Sequence, residues 1–103
     1  MVNLNAVTEV AAAIEGCIRD NGGHYEEWVV GLAVDARVRL FVQHNVDEQK
    51  GPWIYRNAGS NASAKVVQEY LLGKGCMGGD GNAGALAEYV YAFRTSCQPS
   101  KSM

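Results

Sequence analysis

The sequence predicts a mixed α/β fold, with a small three-stranded sheet packed with about three helices in the order α-β-α-β-α-β. Three observations support this: helically spaced apolar residues near the N-terminus, an apolar run at 28–34, and alternation in "EYVYAF". Strands that alternate with helices are typical of a sheet covered by helices. The chain has 103 residues, so we expect one domain. It would comprise an N-terminal helix over 4–19, an α/β core over 28–95 and a tail over 96–103.

Composition narrows the class of protein. The hydrophobic fraction of 48% and the charged fraction of 19% are typical of globular proteins. No apolar run approaches the roughly 18 residues of a membrane span, and the N-terminus lacks the basic start of a signal peptide. We therefore expect a cytoplasmic protein without membrane contact. With a net charge of −2, any binding of nucleic acid requires a local basic patch.

The number and spacing of the cysteines argue against both disulfide bonds and a zinc site. Cys17, Cys76 and Cys97 are an odd number of cysteines and contain no C-x-x-C pair. Neither a disulfide framework nor a zinc site is indicated by such spacing. We expect three reduced thiols.

The first helix is predicted from apolar spacings of three and four residues. Asn3 or Asn5 suits its N-cap, and Gly22 and Gly23 suit its end because glycine tolerates a left-handed backbone. The residues that make up the predicted apolar stripe are Leu4, Val7, Ala11, Ile14 and Ile18.

A buried strand and a second helix are predicted next. The run 28–34 is apolar and rich in β-branched residues, as strands buried on both faces are. Gly31 inside it indicates a bulge or a close approach to the backbone. Asp35 is a good N-cap for a helix over 36–45. Its predicted apolar face carries Val34, Val38, Phe41 and Val42.

The remaining elements complete the predicted order. A strand over 53–59 places Trp53 and Tyr55 on one face, and a third helix follows over about 62–73. The glycine-rich stretch 73–84 is expected to be a flexible connection, with Asp80 as its one acid. In the last strand, "LAEYVYAFRTS", Tyr89, Tyr91 and Phe93 alternate with Val90, Ala92 and Arg94, which favours a strand.

The stretch "VVGLAVDARVR" resembles part of the GIY-YIG nucleases, in which a strand ending in Y-[VI]-G leads through a turn to a helix with a catalytic arginine. Val29-Val30-Gly31 stands in place of Y-V-G, and Arg39 follows Val29 at the family's usual distance. Glu69 falls where the family has its metal-binding glutamate. The resemblance covers about 28–72.

The chain also departs from that family. Valine replaces the YIG tyrosine at Val29, and no G-I-Y strand precedes residue 28. The segment "EYVYAF" would have to supply the missing strand, with Tyr89 or Tyr91 in place of the first tyrosine.

The resemblance implies metal-dependent hydrolysis of phosphodiesters. A carboxylate with bound waters suits Mg²⁺ or Mn²⁺, an arginine stabilises the phosphate, and a tyrosine or histidine orients the nucleophile. The candidate catalytic residues are Arg39, Tyr55, Tyr89, Tyr91 and His44. The candidate nucleic-acid contacts are Gly31, Arg37 and Arg56, and the candidate metal ligand is Glu69.

Other interpretations stay open. The same scaffold would serve as a non-catalytic module that binds a protein or a nucleic acid, as an adaptor or an inhibitor, and an unpaired edge strand would allow a homodimer. Glu69 would then pair with Lys65 on an exposed helix face. The nuclease interpretation carries a geometric requirement: Arg39 and Glu69 must converge on one cleft beside Gly31.

Overall fold

The computed structural model describes residues 2–49, 51–78 and 86–95, and within them a mixed sheet lies between two helices and a short π-helical segment. The mixed α/β class predicted from the sequence is therefore confirmed. The helices are α1 (Leu4–Asp20) and α2 (Asn61–Lys74), and the strands are β1 (Trp28–Ala33), β2 (Trp53–Asn57), β3 (Met77–Gly78) and β4 (Tyr89–Arg94). A 3₁₀ turn spans Tyr25–Glu27, and the π-helical segment spans Val38–Gln43.

The described sheet has four strands in the order β2-β4-β1-β3. β4 is antiparallel to both of its neighbours, whereas β3 is parallel to β1. The prediction of three strands is thus corrected. Met77 and Gly78 belong to the stretch predicted as a flexible connection, yet they pair with Val29 and Val30. This pairing gives backbone partners to an edge of β1 that would otherwise be open.

Helix α1 follows its predicted stripe and is one residue longer than expected. The Oδ1 atom of Asn3 accepts a hydrogen bond from the N–H of Ala6 at 3.1 Å, which satisfies one of the free donors at the helix start. Ile14 and Ile18 are fully buried. At the other end the side chain of Asn21 donates to the carbonyl of Cys17 at 2.7 Å.

Ser60, the N-cap, and Ser63, in the first turn, stabilise the start of helix α2. The Oγ atom of Ser60 accepts from the N–H of Ser63 at 3.1 Å, as an N-cap does. The Oγ atom of Ser63 accepts from the N–H of Asn3 at 2.8 Å, which ties the start of α1 to α2. The helix is followed by Gly75 as its C-cap, whose φ of +120° favours glycine.

The two faces of the sheet carry different clusters. Side chains alternate between the two faces of each strand, so one set points toward α1 and α2. Val67 and Leu71 of α2 are fully buried against this face of the sheet. Each such side chain contributes about 1.5–3 kcal/mol of hydrophobic stabilisation. On the other face Tyr91 and Phe93 pack with Leu40 of the π-helical segment. This second face has no α-helix over it among the described residues.

The segment predicted as a regular helix over 36–45 is wound differently. The N–H of His44 bonds to the carbonyl of Arg39 at 2.9 Å, and this spacing of five residues defines a π-helix. The wider turn rotates the side chains away from their α-helical positions. In this segment Leu40 is fully buried, while Val38 and Val42 of the predicted apolar face are exposed at 42% and 71%. Val34, which precedes the segment, is 59% exposed.

Within the described ranges, neither helix has the length and apolar character needed to cross a bilayer. Asp80, Cys97 and the predicted tail over 96–103 lie outside those ranges. Cys17 and Cys76 are free thiols, as the sequence predicts for them.

Candidate functional site

Four aromatic side chains form a continuous row on the sheet face opposite α1 and α2. Trp53 and Tyr55 stack with ring centroids 5.9 Å apart and planes at 10°. Tyr89 meets Tyr55 edge-on at 5.9 Å, and Phe41 meets Trp53 edge-on at 4.9 Å. All four side chains are half-buried. The row therefore presents partly open aromatic surface to solvent.

An open cleft of about 230 Å³ lies at the tyrosine end of this row. We call it the Tyr55–Tyr89 cleft. β1 ends at Ala33, and the turn that follows supplies the lining residues other than the two tyrosines. The volume is below the roughly 300–1,000 Å³ of pockets for drug-sized ligands, so the cleft suits a single ring. It is lined by Val34, Asp35, Ala36, Arg37, Tyr55 and Tyr89.

Arg37 supplies the positive charge of the cleft. Its Nη2 atom donates to Oε2 of Glu48 at 2.9 Å, and its guanidinium lies 5.0 Å from the centroid of the Phe41 ring. Hydrogen bonds to Glu48 and then to Tyr55 raise the pKa of Arg37. The side chains of Arg37 and Glu48 are 52% and 48% exposed. Ion pairs so exposed contribute little stability, and an anionic ligand can replace the carboxylate at small cost.

Asp35 supplies the negative charge. Its Oδ1 atom accepts from the N–H of Val38 at 3.2 Å, so it caps the start of the helical turn as predicted. Its backbone carbonyl accepts from the N–H of Arg39 at 3.1 Å. The residue is exposed and lines the cleft. The capping bond thus fixes the carboxylate at the start of the helical turn, in a residue that lines the cleft.

Beneath this surface Tyr91 covers Gly31. The two residues are paired across β1 and β4, and a Cβ atom at residue 31 would lie 2.5 Å from Cζ of Tyr91 and 2.9 Å from its Cε2. The close approach to the backbone predicted at Gly31 is therefore made by the protein's own tyrosine. The hydroxyl of Tyr91 lies 2.8 Å from Nε2 of His44, which anchors the end of the π-helical segment to the sheet.

The predicted catalytic residues Tyr55, Tyr89, Tyr91 and His44 thus share one face of the sheet, but at different depths. Tyr55 and Tyr89 reach the cleft, whereas Tyr91 is fully buried. Arg39 belongs to the π-helical segment on the same face and is half-buried. Of the predicted nucleic-acid contacts on this face, Arg37 lines the cleft and Gly31 is buried.

Two predicted site residues lie elsewhere. Arg56 follows the opposite face of β2, close enough to Cys17 to affect its pKa, and donates to the carbonyl of Tyr55 at 2.8 Å. Glu69 is exposed on α2, whose Val67 and Leu71 face the sheet. Helical spacing places Glu69 on the outer side of α2. The structure therefore does not bring Glu69 together with Arg39, which lies on the other side of the sheet.

No group of three histidine, cysteine, aspartate or glutamate side chains suited to a metal ion occurs within residues 2–49, 51–78 and 86–95.

Sequence reasoning missed the partner of Arg37 because Glu48 is eleven residues away in a segment without periodicity. It also missed Asp35 as a cleft residue. Its position directly after a strand end was a usable signal, since strand ends commonly carry binding residues.

A second groove of about 310 Å³ lies between the two helices. Its end carries Glu15, whose Oε2 atom accepts from the hydroxyls of Tyr25 at 3.1 Å and Tyr70 at 2.9 Å. These contacts join α1 to α2 and to the 3₁₀ turn. The other lining residues are Val7, Thr8, Ala11, Ala12 and Val66.

No protein-family model matches the chain, and neither a curated protein nor a solved structure shows significant similarity to it.

Proposed function

We propose that the protein is a non-catalytic module that binds single-stranded nucleic acid through the Tyr55–Tyr89 cleft. The observation that carries this proposal is the pair of half-buried tyrosine rings beside an exposed guanidinium in one open cleft. Bases stack on such rings irrespective of sequence, and arginine binds phosphate with two parallel hydrogen bonds. The adjacent ring of Trp53 extends the stacking surface toward a second base.

The charges predict a weak and modestly salt-sensitive interaction. A phosphate must displace Glu48 from Arg37, and the net charge of −2 opposes the approach of a polyanion. For single strands the logarithm of affinity falls with the logarithm of salt concentration with a slope of about −0.7 per neutralised phosphate. One contact at Arg37 therefore predicts a slope near −0.7, well below that of a basic nucleic-acid-binding domain.

The second candidate function is the metal-dependent nuclease, and one observation favours it. β4 lies directly beside β1 and places Tyr91 opposite Gly31, so the C-terminal strand occupies a position that a preceding G-I-Y strand would need. Arg39 is on this same side of the sheet. The outward position of Glu69 disfavours it, because the proposed Mg²⁺ or Mn²⁺ ligand and the proposed phosphate ligand are then far apart in the fold.

The test is fluorescence anisotropy with labelled single-stranded oligonucleotides. Replacement of one stacking ring, Tyr89→Leu, is expected to weaken binding by about 5- to 150-fold, the range for loss of one base–aromatic stack. The matched variant Tyr89→Phe keeps the ring and should bind as the wild type does. Arg37→Gln should weaken binding and flatten the salt dependence. Arg19→Gln, on α1, makes the same change in charge and should leave affinity unchanged.

Three results would contradict the proposal. The first is absence of binding by the wild type, and the second is binding that Tyr89→Leu does not weaken. The third is cleavage of the oligonucleotides in Mg²⁺ or Mn²⁺ that is lost in both Arg39→Ala and Glu69→Ala, which would establish the nuclease instead.

A further inference from the structure

We propose that the groove between α1 and α2 binds a small organic amine, with the apolar body of the ligand between the helices and its ammonium group on the carboxylate of Glu15. The groove shares no lining residue with the Tyr55–Tyr89 cleft and belongs to the helical side of the sheet. The site is therefore independent of the proposed binding of nucleic acid.

The first support is the size and lining of the groove. Its volume of about 310 Å³ is at the lower end of the roughly 300–1,000 Å³ of ligand pockets, so a ligand with one ring or a short aliphatic chain fits. Most of its lining is apolar, from Val7, Ala11 and Ala12 of α1 and Val66 of α2. Burial of an apolar group against these side chains favours binding.

The second support is the position of the Glu15 carboxylate. Glu15 of α1 and Tyr70 of α2 both line the groove, and the hydroxyl of Tyr70 donates to Oε2 of Glu15 at 2.9 Å. Side chains from the two walls thus meet across the space between the helices, and their contact closes one end of the groove. The hydroxyl of Tyr25 donates to the same oxygen at 3.1 Å and restrains the carboxylate further.

The third support is that this carboxylate has no cationic partner. Among the described residues, no ion pair includes Glu15. The ammonium group of Lys74 lies over the ring of Tyr70 instead, 5.5 Å from its centroid. Both tyrosine hydroxyls bond to Oε2, and the two oxygens of a carboxylate together offer about four lone-pair positions. Glu15 can therefore accept a hydrogen bond from a ligand while it keeps both tyrosines.

An ammonium group matches this end of the groove in charge and in hydrogen bonding. It carries three N–H donors and no acceptor, and the oxygens of Glu15 and of the tyrosine hydroxyls can all accept. A hydrogen bond between charged groups is roughly twice as strong as one between neutral groups. A neutral alcohol of the same shape would make the weaker contact, so the groove should select the amine by roughly tenfold.

The experiment titrates isotope-labelled protein with phenylethylamine and with phenylethanol, which share the same ring and chain, and follows the backbone amide signals by two-dimensional NMR. Signals of Ala11, Ala12 and Tyr70 should shift and saturate with both probes, and the amine should bind roughly tenfold more tightly. In Glu15→Gln the two affinities should become about equal, through loss of affinity for the amine alone. The amide oxygen of glutamine still accepts hydrogen bonds, so the contact with the tyrosines is retained.

Two further variants serve as controls. Glu9→Gln makes the same change in charge at an exposed position of α1 outside the groove lining, and it should leave both affinities unchanged. Ala12→Leu places a larger side chain in the groove and should abolish binding of both probes. Residue 12 is exposed, and leucine favours a helix nearly as well as alanine does, so the fold is retained, which circular dichroism and the melting temperature would verify.

Three results would overturn the proposal. The first is a lack of saturable shifts at the groove, including shifts confined to the Tyr55–Tyr89 cleft. The second is equal affinity of the wild type for the two probes. The third is a preference for the amine that Glu15→Gln does not reduce. None of these results bears on the binding of oligonucleotides, which Tyr89→Leu tests separately.

Discussion

At the scale of single residues, the contact between Gly31 and Tyr91 explains the glycine inside an apolar strand. The tyrosine ring lies where a side chain at residue 31 would stand, and its hydroxyl is held by His44. The ring is fully buried, so it cannot swing away without opening the cluster of Tyr91, Phe93 and Leu40. The glycine is thus a packing requirement of the sheet, independent of any ligand.

Gly31→Ala is therefore expected to destabilise the protein. The added methyl group overlaps the ring of Tyr91, and overpacking of this kind costs about 1–3 kcal/mol. Urea denaturation followed by circular dichroism measures the change in the free energy of unfolding. Gly73→Ala is the control, because nothing lies within 4 Å of a Cβ atom there and alanine favours a helix over glycine by about 1 kcal/mol. Equal stability of Gly31→Ala and wild type would show that the ring shifts freely.

At the scale of elements, β2 is an edge strand of the described sheet, with β4 as its neighbour. The backbone N–H groups of Arg94 and Ala58 donate to the carbonyls of Pro52 and Glu88. Because bonded and non-bonded residues alternate along an antiparallel pair, these bonds turn the carbonyl of Tyr55 away from β4. The guanidinium of Arg56 donates to that carbonyl at 2.8 Å. A charged side chain that covers an edge in this way discourages pairing with a second chain.

Removal of this cover should promote self-association. In Arg56→Ala we expect a larger dimer fraction than in the wild type at equal concentration, since the edge of β2 can then pair with a second copy. Size-exclusion chromatography with light scattering over a range of concentrations is the measurement. Arg19→Ala loses the same charge on α1 and should behave as the wild type. An unchanged dimer fraction in Arg56→Ala would mean that the edge is protected by other means.

Periodicity in the sequence was enough to predict the elements whose side chains repeat regularly. The apolar spacing of α1 and the alternation of β4 are local properties of the chain. The structure has α1 within one residue of its predicted bounds, and β4, at Tyr89–Arg94, is shorter than the predicted stretch 86–96. β3 and the π-helical segment could not be predicted in this way. A strand of two residues is too short to show a repeating pattern. In the π-helical segment hydrogen bonds join residues five apart, so its side chains depart from the 3.6-residue period by which helices are predicted.

The same distinction applies to the cleft. Tyr55 and Tyr89 are candidates because the resemblance implies a tyrosine that orients the nucleophile, and both lie on predicted strands. Their contact depends on β2 pairing with β4, which the order of elements alone does not determine. The ion pair between Arg37 and Glu48 joins a turn to a loop, so only the folded chain reveals it.

At the scale of the whole molecule, burial of Cys76 couples stability to alkaline pH. Desolvation, and then the nearby carboxylate of Glu15, raise the pKa of this thiol from 9.0 to about 11. The folded protein therefore holds the thiol proton over a pH range in which the unfolded chain has lost it. The stabilisation is fully present below pH 9 and is lost as the pH rises toward 11.

We expect the free energy of unfolding to fall by about 2–3 kcal/mol through this range on account of Cys76, because a shift of about two pKa units corresponds to 1.36 kcal/mol per unit. Urea denaturation at a series of alkaline pH values measures it. Tyr25, whose pKa is raised chiefly by burial, and Cys17 add to the same trend. The comparison is therefore with Cys76→Ala, whose curve should be flatter. Parallel curves for the two proteins would contradict the assignment.

The two tryptophans occupy opposite faces of the sheet, and this gives the protein two separate optical reporters. Trp28 has no exposed surface, so its emission should lie at short wavelength and change only when the fold is lost. Trp53 stacks on Tyr55 and donates its indole N–H to the carbonyl of Glu48 at 2.9 Å, beside the cleft. A molecule that displaces Glu48 or stacks on Tyr55 should quench Trp53 alone. Unlabelled ligands can therefore be screened by intrinsic fluorescence, with Trp28 as the internal standard.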